Sequence, residues 1–240
     1  MKKISVVIYG SPGSGKGTQA DLIAEHYGLV HFDTGKVIEK TVHDPKNAGD
    51  PVIQRERQLF DTGILCTPEW VLKLVTAKIR EIAECEDEGL VFSGSPRTMY
   101  EAEGDKEKNI PGVIPILEEI FGKENLIVLR LNVSAESSIF RNSHRRVCED
   151  CQTPLLYSAE TEKLTHCPKC GGRIVTRTLD VPETIKVRLE EYKNRTEPIF
   201  QFLKNKGISV IDIDGEPAPA VVTRSIFEKI DDKIKKSSGN

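Results

Sequence analysis

Gly10-Ser11-Pro12-Gly13-Ser14-Gly15-Lys16-Gly17-Thr18 follows a short apolar run, Ile4 to Tyr9, and opens a stretch of helical character from Lys16 to Tyr27. Strand, glycine-rich loop and helix in that order are the setting of a phosphate-binding loop. The glycines let the backbone curl so that successive N–H groups point inward at an anion. The helix N-terminus adds the positive end of its dipole. In such a loop Lys16 reaches the terminal phosphates and the Thr18 hydroxyl faces Mg²⁺. Gly10, Pro12, Gly13, Ser14, Gly15, Lys16, Gly17 and Thr18 are therefore the candidate residues for a nucleoside triphosphate.

Working outward, further strand-like apolar runs occur at Leu90–Ser93, Leu126–Leu131 and Ile208–Ile213, with helical patterns between them. This alternation predicts an α/β fold, a parallel sheet with helices on both faces. Ligands of such sheets sit beyond the carboxyl ends of the strands. There each run meets polar or glycine-rich residues: the phosphate loop, Gly94-Ser95-Pro96-Arg97, Asn132 and Asp214-Gly215. Two regions interrupt the pattern and read as insertions, a charged helical one from Thr34 to about Cys66 and a β-like one from about His144 to Asp180. Lys235 to Asn240 read as a frayed tail.

The chain has 240 residues, enough for one sizeable core, and 34 Lys+Arg against 37 Asp+Glu give a net charge of −3. That balance argues against bulk nucleic-acid binding. No apolar run approaches the roughly 18 residues of a membrane span, and Gly10 and Pro12 break the N-terminal apolar stretch short of a signal-peptide core. A cytoplasmic location is the expectation, and there the six cysteines are thiols or metal ligands rather than disulfides.

Four of the six form two pairs, Cys148-x2-Cys151 and Cys167-x2-Cys170, enclosing fifteen residues. This spacing is a strong signature of tetrahedral Zn²⁺, and four thiolates leave no open position, so the metal is expected to be structural. The insert is too small for a core of its own, and zinc, worth roughly 10–16 kcal/mol in small finger peptides, would fold it. Iron also fits a four-cysteine site. His144 and His166 lie near the pairs and read as surface residues, while Cys66 and Cys85 show no partner pattern.

Taken together, the motifs resemble the adenylate kinase family, in its long form with a zinc-bearing lid, over nearly all of the chain. The phosphate loop continuing into Gln19-Ala20, Thr34-Gly35, Gly94-Ser95-Pro96-Arg97-Thr98, Arg141-x3-Arg145-Arg146-Val147, Arg177, Asp180-x2-Glu183-Thr184-Ile185-x2-Arg188-Leu189-x2-Tyr192 and Asp214-Gly215 carry the likeness. It implies a five-stranded parallel sheet in a nucleoside monophosphate kinase fold. The core would comprise residues 1–33, 67–143 and 181–240, the acceptor-binding insert 34–66 and a zinc-ribbon-like lid 144–180. It further implies a cytoplasmic, monomeric kinase with bound zinc and Mg·ATP, catalysing ATP + AMP ⇌ 2 ADP without nucleic-acid or membrane partners. Lys16, Arg97, Arg141, Arg145, Arg177 and Arg188 would be catalytic. Arg141, Arg145 and Arg177 would clasp the triphosphate, and Arg97 and Arg188 the acceptor and transferring phosphates. Thr34, Gly35, Glu39, Cys66, Gly94, Arg97, Glu101, Arg177 and Arg188 would form the acceptor side. The chemistry agrees: in-line transfer between two anionic chains needs positioning and charge neutralisation, and a guanidinium can hold two phosphate oxygens at once.

Departures from the family pattern gather on the acceptor side. Lys36 and Glu39 replace an Asp and a phosphate-gripping Arg; Ser95 replaces Phe; Glu101 replaces the Gln that reads the base; Ser93 replaces an Asp that helps hold the Mg²⁺ hydration shell; and Leu179 replaces one of two adjacent aspartates. A carboxylate about 6 Å from a phosphate oxygen costs on the order of 2–3 kcal/mol per charge pair at an effective dielectric near 20. Three readings follow: an AMP kinase, a kinase of another monophosphate or phosphorylated acceptor, and a nucleotide-binding switch with little catalysis. A zinc-ribbon nucleic-acid binder is the weakest alternative, because in the insert only Tyr157 offers an aromatic platform.

Overall fold

The structure, a computed structural model, describes residues 3–84, 89–151, 153–176 and 178–238. Five strands, β1 (Ser5–Gly10), β2 (Leu29–Asp33), β3 (Gly89–Ser93), β6 (Leu126–Asn132) and β10 (Val210–Asp214), form a parallel sheet in the order β10-β6-β1-β3-β2. β1 is buried along its whole length, as a central strand covered on both faces must be. Its alternation sorts the core: Val7 and Tyr9 face one apolar cluster, Val6 and Ile8 the other. Helices α1 (Lys16–Tyr27) and α10 (Pro219–Ser238) cover the Val6 face, with Ile23, Ile226 and Ile230 fully buried. On the Val7 face lie α4 (Pro68–Glu84), α6 (Val113–Phe121) and α9 (Pro198–Asn205), represented by Val75, Leu117 and Leu203. The five-residue helix α5 (Met99–Glu103) and a small hairpin, β4 (Gly104–Asp105) with β5 (Ile110–Pro111), link β3 to α6.

Strand boundaries shift slightly from the sequence expectation: β1 runs from Ser5 through Gly10, and β10 starts at Val210, leaving Ile208 in the preceding turn. β2 has no counterpart among the runs read from sequence. It is an edge strand with two polar residues, and only Phe32 of its five is fully buried, so its apolar signal is weak. Cys85 lies outside the described residues.

Two excursions rise from the carboxyl ends of the strands. Between β2 and α4, α2 (Thr34–His43) and α3 (Pro51–Thr62) pack together, each started by an aspartate cap: Asp33 accepts from Lys36 N and Asp50 from Val52 N and Ile53 N. Glu56, fully buried on α3, accepts from Thr67 N at 2.7 Å and pins the excursion to the start of α4. After α7 (Ala135–Ser143), capped by Ser134, comes a three-stranded antiparallel sheet of β7 (Arg146–Cys148), β8 (Pro154–Leu155) and β9 (Ile174–Thr176), with β7 in the middle. Arg146 is structural here, donating to Thr161 O and Glu162 O. α8 (Pro182–Glu191) then returns the chain to the core through a π-helical turn, Tyr192–Thr196. Thr196 Oγ1 in that turn donates to Arg97 O at 2.9 Å, tying it to the loop after β3.

Candidate active site

A cleft of about 710 Å³ opens where the strands end, between the phosphate loop, the helical excursion and the small β sheet. Its floor is the loop Pro12–Gly15. Gly13 has φ +78°, and a Cβ there would lie 2.6 Å from Asn142 Nδ2, so no side chain fits this turn. Lys16 Nζ donates to Gly10 O at 2.7 Å and Ser11 O at 2.8 Å. The Ser11 and Ser14 hydroxyls are buried in the loop without a hydrogen-bond partner, which suits a loop shaped to receive phosphate oxygens.

The cations converge from distant segments. Arg97, Arg145 and Arg188 all line the cleft with Lys16. Burial, then the positive charges of Arg97, Arg188 and Arg145, push the Lys16 pKa well below its ordinary value, with Asp33 opposing. The fully buried Asp180 organises two of these groups. It accepts from Arg145 Nε at 2.7 Å and Nη2 at 2.5 Å, and from Arg188 Nη1 at 3.3 Å. This fork fixes Arg145 at the entrance to the β excursion and Arg188 on α8. Arg141 also borders the cleft, with one Nη1 hydrogen donated to Gly215 O (2.8 Å) and one Nη2 hydrogen to Glu216 O (2.9 Å). Arg177 lies outside the described residues. Gly10 and Thr34 do not line the cleft; Gly10 serves through its carbonyl, and Thr34 is fully buried.

On the acceptor side Gly35, Glu39, Cys66, Gly94 and Glu101 share the cleft wall with Lys36. Cys66 is packed, its thiol pushed up to about 12 first by burial and then by Glu56, so it is a neutral lining group. Glu101 is committed to its own loop: its carboxylate accepts from Ser95 Oγ at 2.7 Å, Arg97 N at 3.0 Å and Thr98 Oγ1 at 3.0 Å. Thr98 in turn caps α5 through Glu101 N, in the manner of a capping box. The Ser95 and Glu101 departures are thus two halves of one hydrogen-bonded unit.

Burial raises the Glu101 carboxyl above its ordinary range, with the three hydrogen bonds opposing. For a raised carboxyl the sign is fixed. Stability is highest below the unfolded value of about 4.3 and declines as pH rises from there through the folded value. Glu101→Gln is expected to flatten this decline, read as thermal unfolding temperature against pH. A variant that keeps the wild-type slope would place its origin elsewhere.

Sequence reasoning missed three groups. Phe140, His144 and Tyr157 form an aromatic cluster joining the end of α7 to the segment after β8, with ring centroids 4.2 to 5.6 Å apart; Phe140 and Tyr157 line the cleft. The pairing of α7 with the β excursion is a tertiary fact that local pattern does not carry. The second group is Asp21, His31 and Ser93, joined by hydrogen bonds of 2.6 and 2.8 Å. Asp33 is the third, beside the phosphate loop.

The four cysteine sulfurs lie within 4.8 Å of one another, with Cys148–Cys170 at 3.4 Å and Cys151–Cys167 at 3.7 Å. Metal–sulfur bonds of about 2.3 Å in a tetrahedron place sulfurs about 3.8 Å apart, so the cage fits a metal ion. Gly171, at φ +78°, makes the turn by which its N–H bonds Cys167 O. His166 is exposed and not part of the cage.

Comparison with known proteins agrees with this geometry. The adenylate kinase family model matches residues 8–208. The chain is 32% identical over 234 residues to an adenylate kinase of Archaeoglobus fulgidus, covering 97% of this chain and 100% of that one. It is 30% identical over 226 residues to one of Caldicellulosiruptor saccharolyticus, covering 94% and 98%. With one of Clostridium tetani it shares 31% over 213 residues, covering 88% and 91%. A phosphate loop, a converging set of arginines and a match over most of the length lead to one conclusion: the chain belongs to the adenylate kinase family.

Proposed function

We propose that the protein transfers the terminal phosphoryl group of ATP to a nucleoside monophosphate, ATP + AMP ⇌ 2 ADP, at the cleft between the phosphate loop and the two excursions. The observation that carries this is the crowding of Lys16 by three guanidiniums in one cleft. Such mutual repulsion is unfavourable unless a polyanion sits among the cations, and two nucleotide phosphate chains meeting in line supply it.

In this reading the phosphate-loop N–H groups and Lys16 hold the donor phosphates. Arg145 and Arg188, oriented by Asp180, follow the transferring group, and Arg97 holds the acceptor phosphate. The acceptor oxygen is already ionised at neutral pH and needs no general base. Phe140 and Tyr157 offer apolar faces for the donor base. Thr18 and the carboxylate and hydroxyl oxygens around it are hard donors that suit Mg²⁺, which would neutralise charge on the donor phosphates. The small β sheet acts as a lid that keeps water from taking the phosphoryl group. We assign zinc to the cysteine cage, as a closed structural site with no part in the chemistry. Residues of one chain complete the site, which supports a monomer, and cysteines kept as metal ligands suit the cytoplasm.

Glu39 on the cleft wall supports a second reading, in which the acceptor is not AMP. The test is ADP formation from Mg·ATP against AMP, CMP, UMP, GMP and dAMP, in wild type and Glu39→Arg. AMP is expected to be the best acceptor, and the variant to raise activity with AMP. No turnover of any monophosphate by the zinc-loaded protein would refute the kinase.

A further inference from the structure

Asp33 and Ser93 end adjacent parallel strands and are register partners at the lip of the cleft. Ser93 carries no charge, and its hydroxyl is held at 2.8 Å by His31 Nε2. His31, with its side chain only 10% exposed, is bonded through Nδ1 to Asp21 at 2.6 Å. The hydrogen bond from His31 holds the Asp21 carboxyl below its ordinary range, with Lys36 helping and burial opposing. A carboxylate can only accept, so Nδ1 carries a proton toward Asp21, and Nε2 shares the second hydrogen bond with the Ser93 hydroxyl. Ser93 thus brings a tethered but uncharged hydroxyl to the cleft.

Asp33 is placed differently. Its Oδ1 caps α2 by accepting from Lys36 N at 3.2 Å. Its Oδ2 faces the phosphate loop, 4.0 Å from where a Cβ on Gly17 would stand. Gly17 lies between Lys16 and Thr18, and Asp33 acts electrostatically on Lys16. A carboxylate one strand over from Ser93 therefore stands beside the donor-phosphate residues.

We propose that in this chain the carboxylate orienting the water shell of the ATP-bound Mg²⁺ is Asp33 at the end of β2, with the His31-held Ser93 hydroxyl as a neutral acceptor beside it. The inference rests on the nucleotide site described above, since Mg²⁺ arrives there with ATP. Mg²⁺ keeps several of its waters and takes few protein ligands, so a carboxylate reached through water is the usual form of such a contact. Asp33 is then a positioning residue, acting on the phosphates through the metal's waters.

The test compares ATP affinity with Mg²⁺ against ATP affinity in EDTA, by calorimetry, in wild type, Asp33→Asn and Ser93→Ala. Asn retains the cap of α2, so the fold is expected to persist. In Asp33→Asn the gain in affinity contributed by Mg²⁺ is expected to shrink by roughly 10-fold or more. Ser93→Ala should shrink it far less. Asp33→Asn/Ser93→Asp, which moves the carboxylate one strand across, should recover part of the gain. Mn²⁺ resonance spectra of the ATP complex should change in Asp33→Asn and move back in the double variant. An unchanged Mg²⁺ gain in Asp33→Asn, or an equal loss in Ser93→Ala, would overturn the assignment. These readouts require no phosphoryl acceptor, so a failure of the kinase reading would show separately in the monophosphate panel.

Discussion

Lys16→Met is expected to lower kcat with AMP by roughly 10³-fold while leaving the protein as stable as wild type or more so. The two halves of this result have one cause. Lys16 is half-buried at the edge of the phosphate loop, and Arg97, Arg188 and Arg145 raise the cost of its charge there. Its folded pKa is below that of the unfolded chain, so the ammonium subtracts from stability throughout the neutral range. Two carbonyl hydrogen bonds, to Gly10 and Ser11, offset part of that cost. Methionine has a similar unbranched length, fills the space and carries no charge. During transfer the balance reverses, because negative charge spread over the moving phosphoryl group is what the ammonium meets. Thermal unfolding and steady-state kinetics on one preparation read both effects. A variant that is destabilised yet keeps its kcat would contradict this account of the site.

The donor half of the site was legible in the sequence because its determinants are local. Gly10 to Thr18 fixes a loop, the strand before it and the helix after it, and each functional atom is placed by that short segment. The cysteine cage is legible for the same reason, two tight knuckles at fixed spacing. The acceptor half is not. Ser95 and Glu101 read as two independent losses, yet the side chains bond each other at 2.7 Å and hold the turn between them. Arg141 matches the family's position, and its carbonyl partners, Gly215 and Glu216, lie more than seventy residues away, a pairing that no local pattern carries. Ser93 looks like a lost metal residue until β2 is paired beside β3, which brings Asp33 to its side. Edge strand β2 gives a weak apolar signal because half-burial suffices there, so its neighbour's compensation was hidden with it. What sequence withholds here is tertiary pairing, not chemistry.

Removing the metal from the cysteine cage, by chelation or by Cys148→Ser, is expected to unfold the lid while the core keeps its cooperative transition. The lid sheet has one three-residue strand at its centre, flanked by strands of two and three residues. Its buried apolar side chains on those strands are Val147, Leu155 and Ile174, too few to offset the backbone entropy of more than thirty ordered residues. Metal binding of roughly 10–16 kcal/mol is the term that makes the difference. The core draws its stability from two large apolar clusters that include no lid residue. Activity should nonetheless fall by about 10²-fold or more, because Arg145 and Asp180 stand at the two ends of the lid. An unfolded lid gives each freedom to leave the fork that also orients Arg188. Loss of the lid also admits water, so ATP hydrolysis should rise relative to transfer to the monophosphate. Metal content by elemental analysis, hydrogen exchange across residues 144–180 and the ratio of the two reactions give three independent readings. Full transfer activity in metal-free protein would mean that the lid holds its shape by packing alone, which its few buried side chains argue against.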